Sequence, residues 1–420
     1  MLRIEDWFQA MDKETDIENF PELKAVSEQV YNQINRDIIG FELPIKIQNG
    51  DEFDSLLKNL LMNYAKNIQK SGFSDYPNLQ KDVKEICQNI IDALQHERKG
   101  NSTTAERHIM KAIKICGEHP LAISIIDRSY AFRGSSILND LKSNNFNYTE
   151  QANYPLSFFR CRSLEGATHS LTSFRDMLHI PLNKRSLCSE QRFSISGVSC
   201  LYLGATSYVC WKELGEPTEY YLSAYRLKDN NKLKILNLVI PQRLLNGLTW
   251  NPYDQISQSG QIALKIFPLV LSTAFHVTNH HNEKYHSEYT ISNLIMRCLP
   301  QIGVDGVAYI SSHNKSEFDY PHGVNLALPI FEADTPSHYG HICDHLLITN
   351  PIHIDMNNII DQSQIFKDES YINHIYNHSP QPMCDVAYKG ETINYCQTPF
   401  SYYDNFAFSQ EFYETNIDTV

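Results

Sequence analysis

The sequence predicts an α+β protein, in which an all-α bundle precedes a domain of mixed strands and helices. Apolar residues recur at helical spacing in the first third of the chain, whereas short apolar and β-branched runs of strand length appear within residues 156–356. The length of 420 residues exceeds what one ordinary hydrophobic core holds, so the two patterns are assigned to two domains.

Two long helices are predicted first. From Phe53 to Ile68 the apolar positions step by one or three residues, which is the stripe of a helix with one buried face, and Gly72 ends the pattern. The same stripe runs from Leu79 to Leu94. Pro77 precedes it and suits a first helical turn, where the backbone N–H has no helical partner.

A third helix is predicted in "NSTTAERHIMKAIKICG", where Thr103 and Glu106 have capping-box spacing and Gly117 stands at a typical helix end. The three helices together predict a helical N-terminal domain over residues 1–142. The asparagine-rich run "SNNFNYTEQANYP" follows them, and residues 143–155 are interpreted as a linker.

The mixed domain is assigned to residues 156–356. One clear helix, "YTISNLIMRCLPQIG", interrupts its strands. The strands are predicted at residues 199–204, 233–240, 306–311 and 324–329. Residues 357–420 are a polar and aromatic C-terminal extension to which the sequence assigns no role.

Composition and charge exclude several classes of function. The formal net charge of -13 disfavours binding to a nucleic-acid backbone, which needs a dense basic surface, although a few local arginines can still hold an anionic small molecule. No apolar run approaches the roughly 18 to 20 residues that span a bilayer, and the start "MLRIEDWFQAMDKETD" has no apolar signal core. The ten cysteines are scattered, without a Cys-x-x-Cys pair, as in reduced proteins. We therefore expect a cytoplasmic protein that contacts neither membrane nor nucleic acid.

Two motifs carry polar side chains at the ends or on one face of predicted strands. Arg160 and Arg162 alternate in "YPLSFFRCRS", so both guanidinium groups would emerge on the same face of a strand. Ser311 and Ser312 end the strand-like run "VDGVAYISS". Each motif alone is weak evidence. The arginines are also typical of a surface ion pair, and the serines are also typical of a turn at a strand end.

Glu213 is the carboxylate of a third motif, "SCLYLGATSYVCWKEL". A strand there runs into a helix that Thr206 or Ser207 can cap, and Glu213 lies within the first two turns of that helix. Read in isolation, this pattern favours a solvated helix carboxylate over a catalytic one.

The run "SHYGHICDH" is the one cluster that suggests a metal. His338 and His341 are three residues apart, but the remaining ligands alternate, which fits no standard zinc spacing. The sequence therefore predicts no metal site.

Taken in order, "FFRCR", "QRFSISGVSCLYLG", "CWKEL" and "DGVAYISS" resemble the RES domain family, which is named for its arginine, glutamate and serine. The resemblance covers about Tyr154 to Met356. It implies an ADP-ribosyltransferase-like fold and an enzyme that consumes NAD+, as such domains do in bacterial toxin–antitoxin pairs. NAD+ is then the substrate, and no further cofactor is required.

The resemblance assigns roles to five residues and leaves Ser312 open as an alternative to Ser311. Gln191 replaces a glycine that the family more often has before its second arginine. The implied catalytic residues are Glu213, Arg160 and Ser311, and the implied NAD+-binding residues are Arg160, Arg192, Tyr202 and Ser311.

The chemistry of NAD+ cleavage agrees with these residue types. Nicotinamide is already cationic in NAD+ and departs neutral, so no general acid is needed, and one fixed carboxylate such as Glu213 can stabilise the positive charge that develops on the ribose. Guanidinium groups suit the diphosphate because each can hold two oxygens and stays charged. The tyrosine ring would lie against the nicotinamide.

The acceptor stays open at this stage. A glycohydrolase would use water, a phosphorylase would use phosphate, and a protein ADP-ribosyltransferase would use a side chain. A non-catalytic RES-like binding or scaffold module is the alternative from a different class. The helical region resembles the HEPN-related region of long RES proteins, which implies a regulatory role, with an antitoxin-like partner or self-association through these helices.

Overall fold

The computed structural model describes residues 43–70, 75–133, 156–163, 170–229, 231–240, 245, 258–278, 286–313, 322–332, 335, 337–358 and 385–415. These residues form an α+β fold, as the sequence predicts. The predicted linker at 143–155 and the predicted helix end at Gly72 lie outside the described residues.

The helices are α1 (Phe53–Lys70), α2 (Pro77–Arg98), α3 (Ser102–Cys116), α4 (Tyr130–Arg133), α5 (Ser207–Glu213), α6 (Gln258–Thr273), α7 (Thr290–Cys298) and α8 (Pro399–Phe408). The strands are β1 (Ile45–Ile47), β2 (Ile123–Ile125), β3 (Ser157–Ser163), β4 (Cys200–Gly204), β5 (Glu219–Leu227), β6 (Lys234–Leu238), β7 (Phe275–Val277), β8 (Gly306–Ile310), β9 (Val324–Pro329), β10 (Leu346–Thr349), β11 (Ile352–Asp355), β12 (Asp385–Tyr388), β13 (Glu391–Asn394) and β14 (Phe412–Glu414).

The first three helices follow their apolar stripes. The predicted stripes of α1 and α2 are buried at their centres, and α2 begins at Pro77. The predicted capping box of α3 is wrong, because the N-cap is Asn101, two residues before Thr103, and the helix begins at Ser102. Gly117 ends α3 with a φ of 84°, a left-handed conformation that favours glycine.

One ten-stranded sheet organises the rest of the fold. Its strand order is β14-β10-β5-β3-β4-β9-β8-β6-β2, and β11 pairs with β5 beside β10. The pair β6–β8 is parallel and its other pairs are antiparallel. All four predicted strands are confirmed, as β4, β6, β8 and β9.

The sheet has two covered faces, which can be identified from alternating side chains. On β4, Leu201 and Leu203 enter one core cluster, whereas Tyr202 packs against a cluster that contains the helices α1, α2, α3, α6 and α7. On β3, Phe158 lies on the Leu201 side and Phe159 lies on the opposite side, under α5 and α8. We call the side of the sheet that carries α5, α8 and the helices α1, α2, α3, α6 and α7 the helical face.

The predicted helical and mixed domains share one core. Residues of α1, α2 and α3 are buried in the same cluster as residues of α6, α7, β6 and β8. Tyr64 on α1 donates a hydrogen bond of 2.8 Å to the Leu264 carbonyl, and Arg297 on α7 pairs with Glu97 at 2.6 Å and with Glu106 at 3.1 Å. The predicted domain boundary at residues 143–155 stays a prediction. In the described structure, residues before and after it share one hydrophobic core.

The C-terminal extension is structured where it is described. The strand β14 pairs with β10 at one edge of the large sheet, β12 and β13 form a hairpin, and α8 packs on β5 and α5. Pro399 is the first residue of α8. Within the part of the chain that the structure describes, no helix combines the length and apolar character needed to cross a membrane.

Candidate active site

The helix α5 places Glu213 beside the large sheet. Of the two caps that the sequence allows, Thr206 is the N-cap, and it accepts a hydrogen bond of 3.3 Å from the backbone N–H of Val209. A Cβ on Gly204, at the end of β4, would lie 2.5 Å from a Val209 side-chain atom and 2.6 Å from the Cys210 sulfur. Glycine therefore allows α5 to turn back closely onto β4, with Glu213 as its last residue.

The Glu213 carboxylate is held by two donors on one oxygen. Ser311 donates from its hydroxyl to Oε1 at 2.6 Å, and Asn325 donates from Nδ2 to the same oxygen at 2.7 Å. The other oxygen, Oε2, lies 3.7 Å from Nε2 of His313. The Glu213 side chain is 35% exposed, so the carboxylate is fixed in direction and is still accessible to solvent.

The strand register distinguishes the two candidate serines. Ser311 follows β8, is 1% exposed, and its backbone N–H donates to the Gly323 carbonyl at 2.9 Å. Its hydroxyl donates to Glu213 and also accepts from the backbone N–H of His313 at 3.1 Å. Ser312 is next in the chain and half-buried, and the hydrogen bond to Glu213 belongs to Ser311.

Arg192 is buried beside this carboxylate site. Its guanidinium lies 4.6 Å from the ring centre of Tyr309 and donates to the carbonyls of Thr273, at 3.3 Å, and Ile310. Burial raises the pKa of Tyr309 well above its usual value; the Glu213 charge raises it further, and the Arg192 charge opposes both. Arg192 therefore anchors the end of β8 next to Ser311, with two of its nitrogens engaged by backbone carbonyls.

Tyr202 lies on the helical face of β4. Its hydroxyl donates to the Phe193 carbonyl at 2.8 Å, and the Phe193 ring stacks on Tyr309 at 4.2 Å. Burial raises the pKa of Tyr202 well above its usual value. Four of the five predicted site residues, namely Tyr202, Arg192, Ser311 and Glu213, thus belong to one continuous cluster through Phe193, Tyr309 and Ile310.

Arg160 lies apart from this cluster. Its side chain alternates with that of Phe159, so it emerges on the face opposite α5, across from Ser223 on β5. Among the described residues, no hydrogen bond or ion pair joins Arg160 to Glu213. Nε and Nη1 of Arg160 are buried without a hydrogen-bond partner in the described structure, as is the Ser223 hydroxyl.

The position of Arg160 is at the point where the sheet opens. The strands β3 and β4 pair at Phe159 and Gly204, and no further pair between these strands is formed by the described residues. Burial raises the pKa values of Cys200 and Tyr202 on β4, and the Arg160 charge lowers both of them. Arg160 therefore borders the opening between the two strands, on the face opposite Tyr202.

Two residues that contact Glu213 were missed by the sequence analysis. Asn325 sits in the buried run "VNLALP", where an amide among aliphatic residues is an available signal of a specific hydrogen bond. His313 follows Ser311 by two positions, and a histidine directly after the predicted serine motif was also visible in the sequence. Both residues reach Glu213 because β8 and β9 lie side by side in the sheet.

Asp404 on α8 holds the start of α5. Its Oδ1 accepts from the backbone N–H of Ser207 at 2.9 Å, and its Oδ2 accepts from the Tyr395 hydroxyl. Burial raises the pKa of Asp404 to about 7, against the lowering effect of these two hydrogen bonds. The C-terminal extension thereby positions the helix that carries Glu213.

The fold and the site together define an α+β protein with a fixed, half-exposed carboxylate between a serine, an asparagine and a histidine. The chain is similar to the Bacillus subtilis (strain 168) protein named "Putative toxin YopC", with 25% identity over 327 residues, which are 74% of this chain and 68% of that protein. No family model and no solved structure matches the chain.

Proposed function

We propose that this chain is an enzyme that degrades NAD+ by cleaving the bond between nicotinamide and ribose. The observation that carries the proposal is the Glu213 carboxylate, whose Oε1 is fixed by Ser311 and Asn325 while the side chain stays partly exposed. A carboxylate held in this way stabilises positive charge on a ribose without having to reorient as the bond breaks.

The side-chain types of Tyr202 and Arg160 support a nucleotide as the substrate. Tyr202 supplies an aromatic surface within the same cluster, and Arg160 presents two buried N–H donors that have no partner in the described structure. Buried donors of this kind are costly unless a bound group accepts from them, and a diphosphate oxygen is such an acceptor. Arg192 contributes mainly by holding the end of β8, since both of its terminal nitrogens already donate to carbonyls.

The similarity to a protein named as a toxin supports a toxin-like role. Depletion of NAD+ would account for such a role. Control by an antitoxin-like partner or through self-association belongs to the same proposal, and so does the alternative that the acceptor is a protein side chain.

The test is to incubate the purified chain with NAD+ and to quantify free nicotinamide, beside Glu213→Gln and Arg160→Ala. We expect Glu213→Gln to lower the turnover rate by about 10²-fold or more, because the amide keeps the shape and loses the charge. We expect Arg160→Ala to raise KM chiefly. Absence of nicotinamide release from the wild type, with and without phosphate, would overturn the proposed function.

A further inference from the structure

We infer that His313 is a catalytic residue, the general base that takes a proton from an uncharged acceptor, so that water is the acceptor. The inference rests on the proposed function and deepens it, since it chooses between water and phosphate.

The geometry separates the two oxygens of Glu213. Oε1 accepts from both Ser311 and Asn325, whereas Oε2 has the His313 ring as its neighbour, with Nε2 at 3.7 Å. This distance is longer than a hydrogen bond. The exposed fractions are 42% for the His313 side chain and 35% for Glu213, so a small molecule can reach both groups from solvent.

Two contacts hold His313 in place. Its backbone N–H donates to the Ser311 hydroxyl at 3.1 Å, which ties the imidazole to the same serine that fixes Glu213. Its ring meets the His276 ring edge to face at 5.4 Å, and His276 belongs to β7 on another part of the chain. The His313 imidazole is therefore held beside Oε2 by the hydrogen bond of its own backbone and by the His276 ring on β7.

The step balances with water as the only co-reactant. The bond between C1′ of the ribose and the nicotinamide nitrogen breaks, and its electron pair leaves with nicotinamide. The water oxygen forms a bond to C1′, and one of its protons passes to Nε2 of His313, which later releases it to solvent. Glu213 stays an anion throughout and stabilises the developing positive charge.

A general base beside Glu213 favours water as the acceptor, because water must lose a proton as it attacks C1′, whereas a phosphate anion need not. No lysine or arginine among the described residues forms an ion pair with Glu213. Lys212, the adjacent residue, pairs with Glu216 at 2.6 Å, and Arg192 donates to backbone carbonyls. The described residues therefore supply a base beside Glu213 and bond no cation to that carboxylate.

Azide tests this role, because it is a nucleophile that has no proton to lose. Nicotinamide release and the ribosyl product are measured for the wild type, His313→Asn and His313→Gln, with and without sodium azide. We expect both variants to lose on the order of 10²-fold in rate, to regain much of it with azide, and to form ADP-ribosyl azide detected by mass spectrometry.

His353→Asn is the matched control, since His353 makes a similar contact with Glu219, at 3.3 Å, on β11 and β5. It should behave as the wild type does. Equal rates in His313→Asn and the wild type, loss of rate without azide rescue, or preferential formation of ADP-ribose 1-phosphate by the wild type in phosphate would each overturn the inference while the proposed function stands. A wild type that releases no nicotinamide overturns both.

Discussion

At the scale of single residues, the hydrogen-bond donors around Glu213 decide what its carboxylate can do. Ser311 is 1% exposed and Asn325 is 5% exposed, so water does not readily replace either of them. Two donors on one oxygen stabilise the ionised carboxylate and fix its direction. The helix α5 alone would leave Glu213 free to rotate into solvent.

Asn325→Asp tests this arrangement, because it replaces the amide that donates to Glu213 with a second carboxyl group of similar shape. Two carboxyl groups at such a distance cannot both ionise easily, so the pair would share a proton at neutral pH. We expect nicotinamide release at pH 7 to fall by about 10²-fold or more, with little change in melting temperature.

Asn293→Asp is the control for that substitution. Asn293 donates from Nδ2 to Glu190 at 3.0 Å and has no hydrogen bond with Glu213 in the described structure, so the same change of amide to carboxyl should leave the rate within about twofold. Equal losses in the two variants would show that the effect is not specific to Glu213.

At the scale of elements, α5 depends on the C-terminal helix α8. Asp404 accepts hydrogen bonds from the backbone N–H of Ser207, the first residue of α5, and from the Tyr395 hydroxyl. The Tyr395 ring stacks on the His322 ring at 3.9 Å. The carbonyl of His322 in turn accepts from the hydroxyl of Thr206, the N-cap of α5, at 2.7 Å. Three separate segments therefore converge on the first turn of a seven-residue helix.

Asp404 also predicts a dependence of stability on pH. Its pKa is raised from 3.8 to about 7 in the folded chain, so the folded state binds this proton more tightly than the unfolded state. The resulting contribution to the free energy of unfolding is fully present below pH 4 and is lost as pH rises towards 7. We expect the stability difference between the wild type and Asp404→Asn to shift against the wild type between pH 4.5 and about pH 7.5.

The measurement is urea unfolding of both proteins, followed by circular dichroism, across that pH range. Other titrating groups are common to both proteins and cancel in the difference. A difference that stays constant with pH would show that Asp404 does not hold its proton in the folded state.

At the scale of the whole molecule, the N-terminal helices are part of the same core as the sheet. The Tyr64 ring on α1 lies 5.2 Å from the Phe267 ring on α6, and its hydroxyl is bonded to the Leu264 carbonyl. The short strands β1 and β2 pair with β7 and β6, which come from the mixed part of the chain. Loss of the helical region would expose the apolar surface of α6 and α7.

Tyr64→Ala tests the shared core. We expect a loss of about 3–5 kcal/mol in the free energy of unfolding, because a buried aromatic side chain and its hydrogen bond are both removed. Met62→Ala on the same helix is the control, since Met62 is 55% exposed and should change stability little. Thermal melting followed by circular dichroism should show one transition, and a separate early transition for the helices would contradict a common core.

The elements with strong local patterns were predictable from the sequence. Apolar periodicity predicted α1 and α2, and short apolar runs predicted β4, β6, β8 and β9. A helix buried on one face has apolar residues at helical spacing, and a strand buried on both faces has a continuous apolar run. The aromatic C-terminal segment gave no such mark, since β12 to β14 and α8 are short and lie against other parts of the fold. The N-cap of α3 is Asn101, two residues before the predicted Thr103, because several polar residues at this helix end can cap.

The sequence by itself determined the α+β class, the strand and helix that carry Glu213, and the residue types suited to a nucleotide. Only the tertiary structure decided that Ser311 and not Ser312 binds Glu213, that Asn325 and His313 complete the site, and that Arg160 emerges on the other face of β3. The physical reason is that these contacts join residues about a hundred positions apart. Their geometry depends on strand register and on the opening between β3 and β4, and neither leaves a local pattern in the sequence.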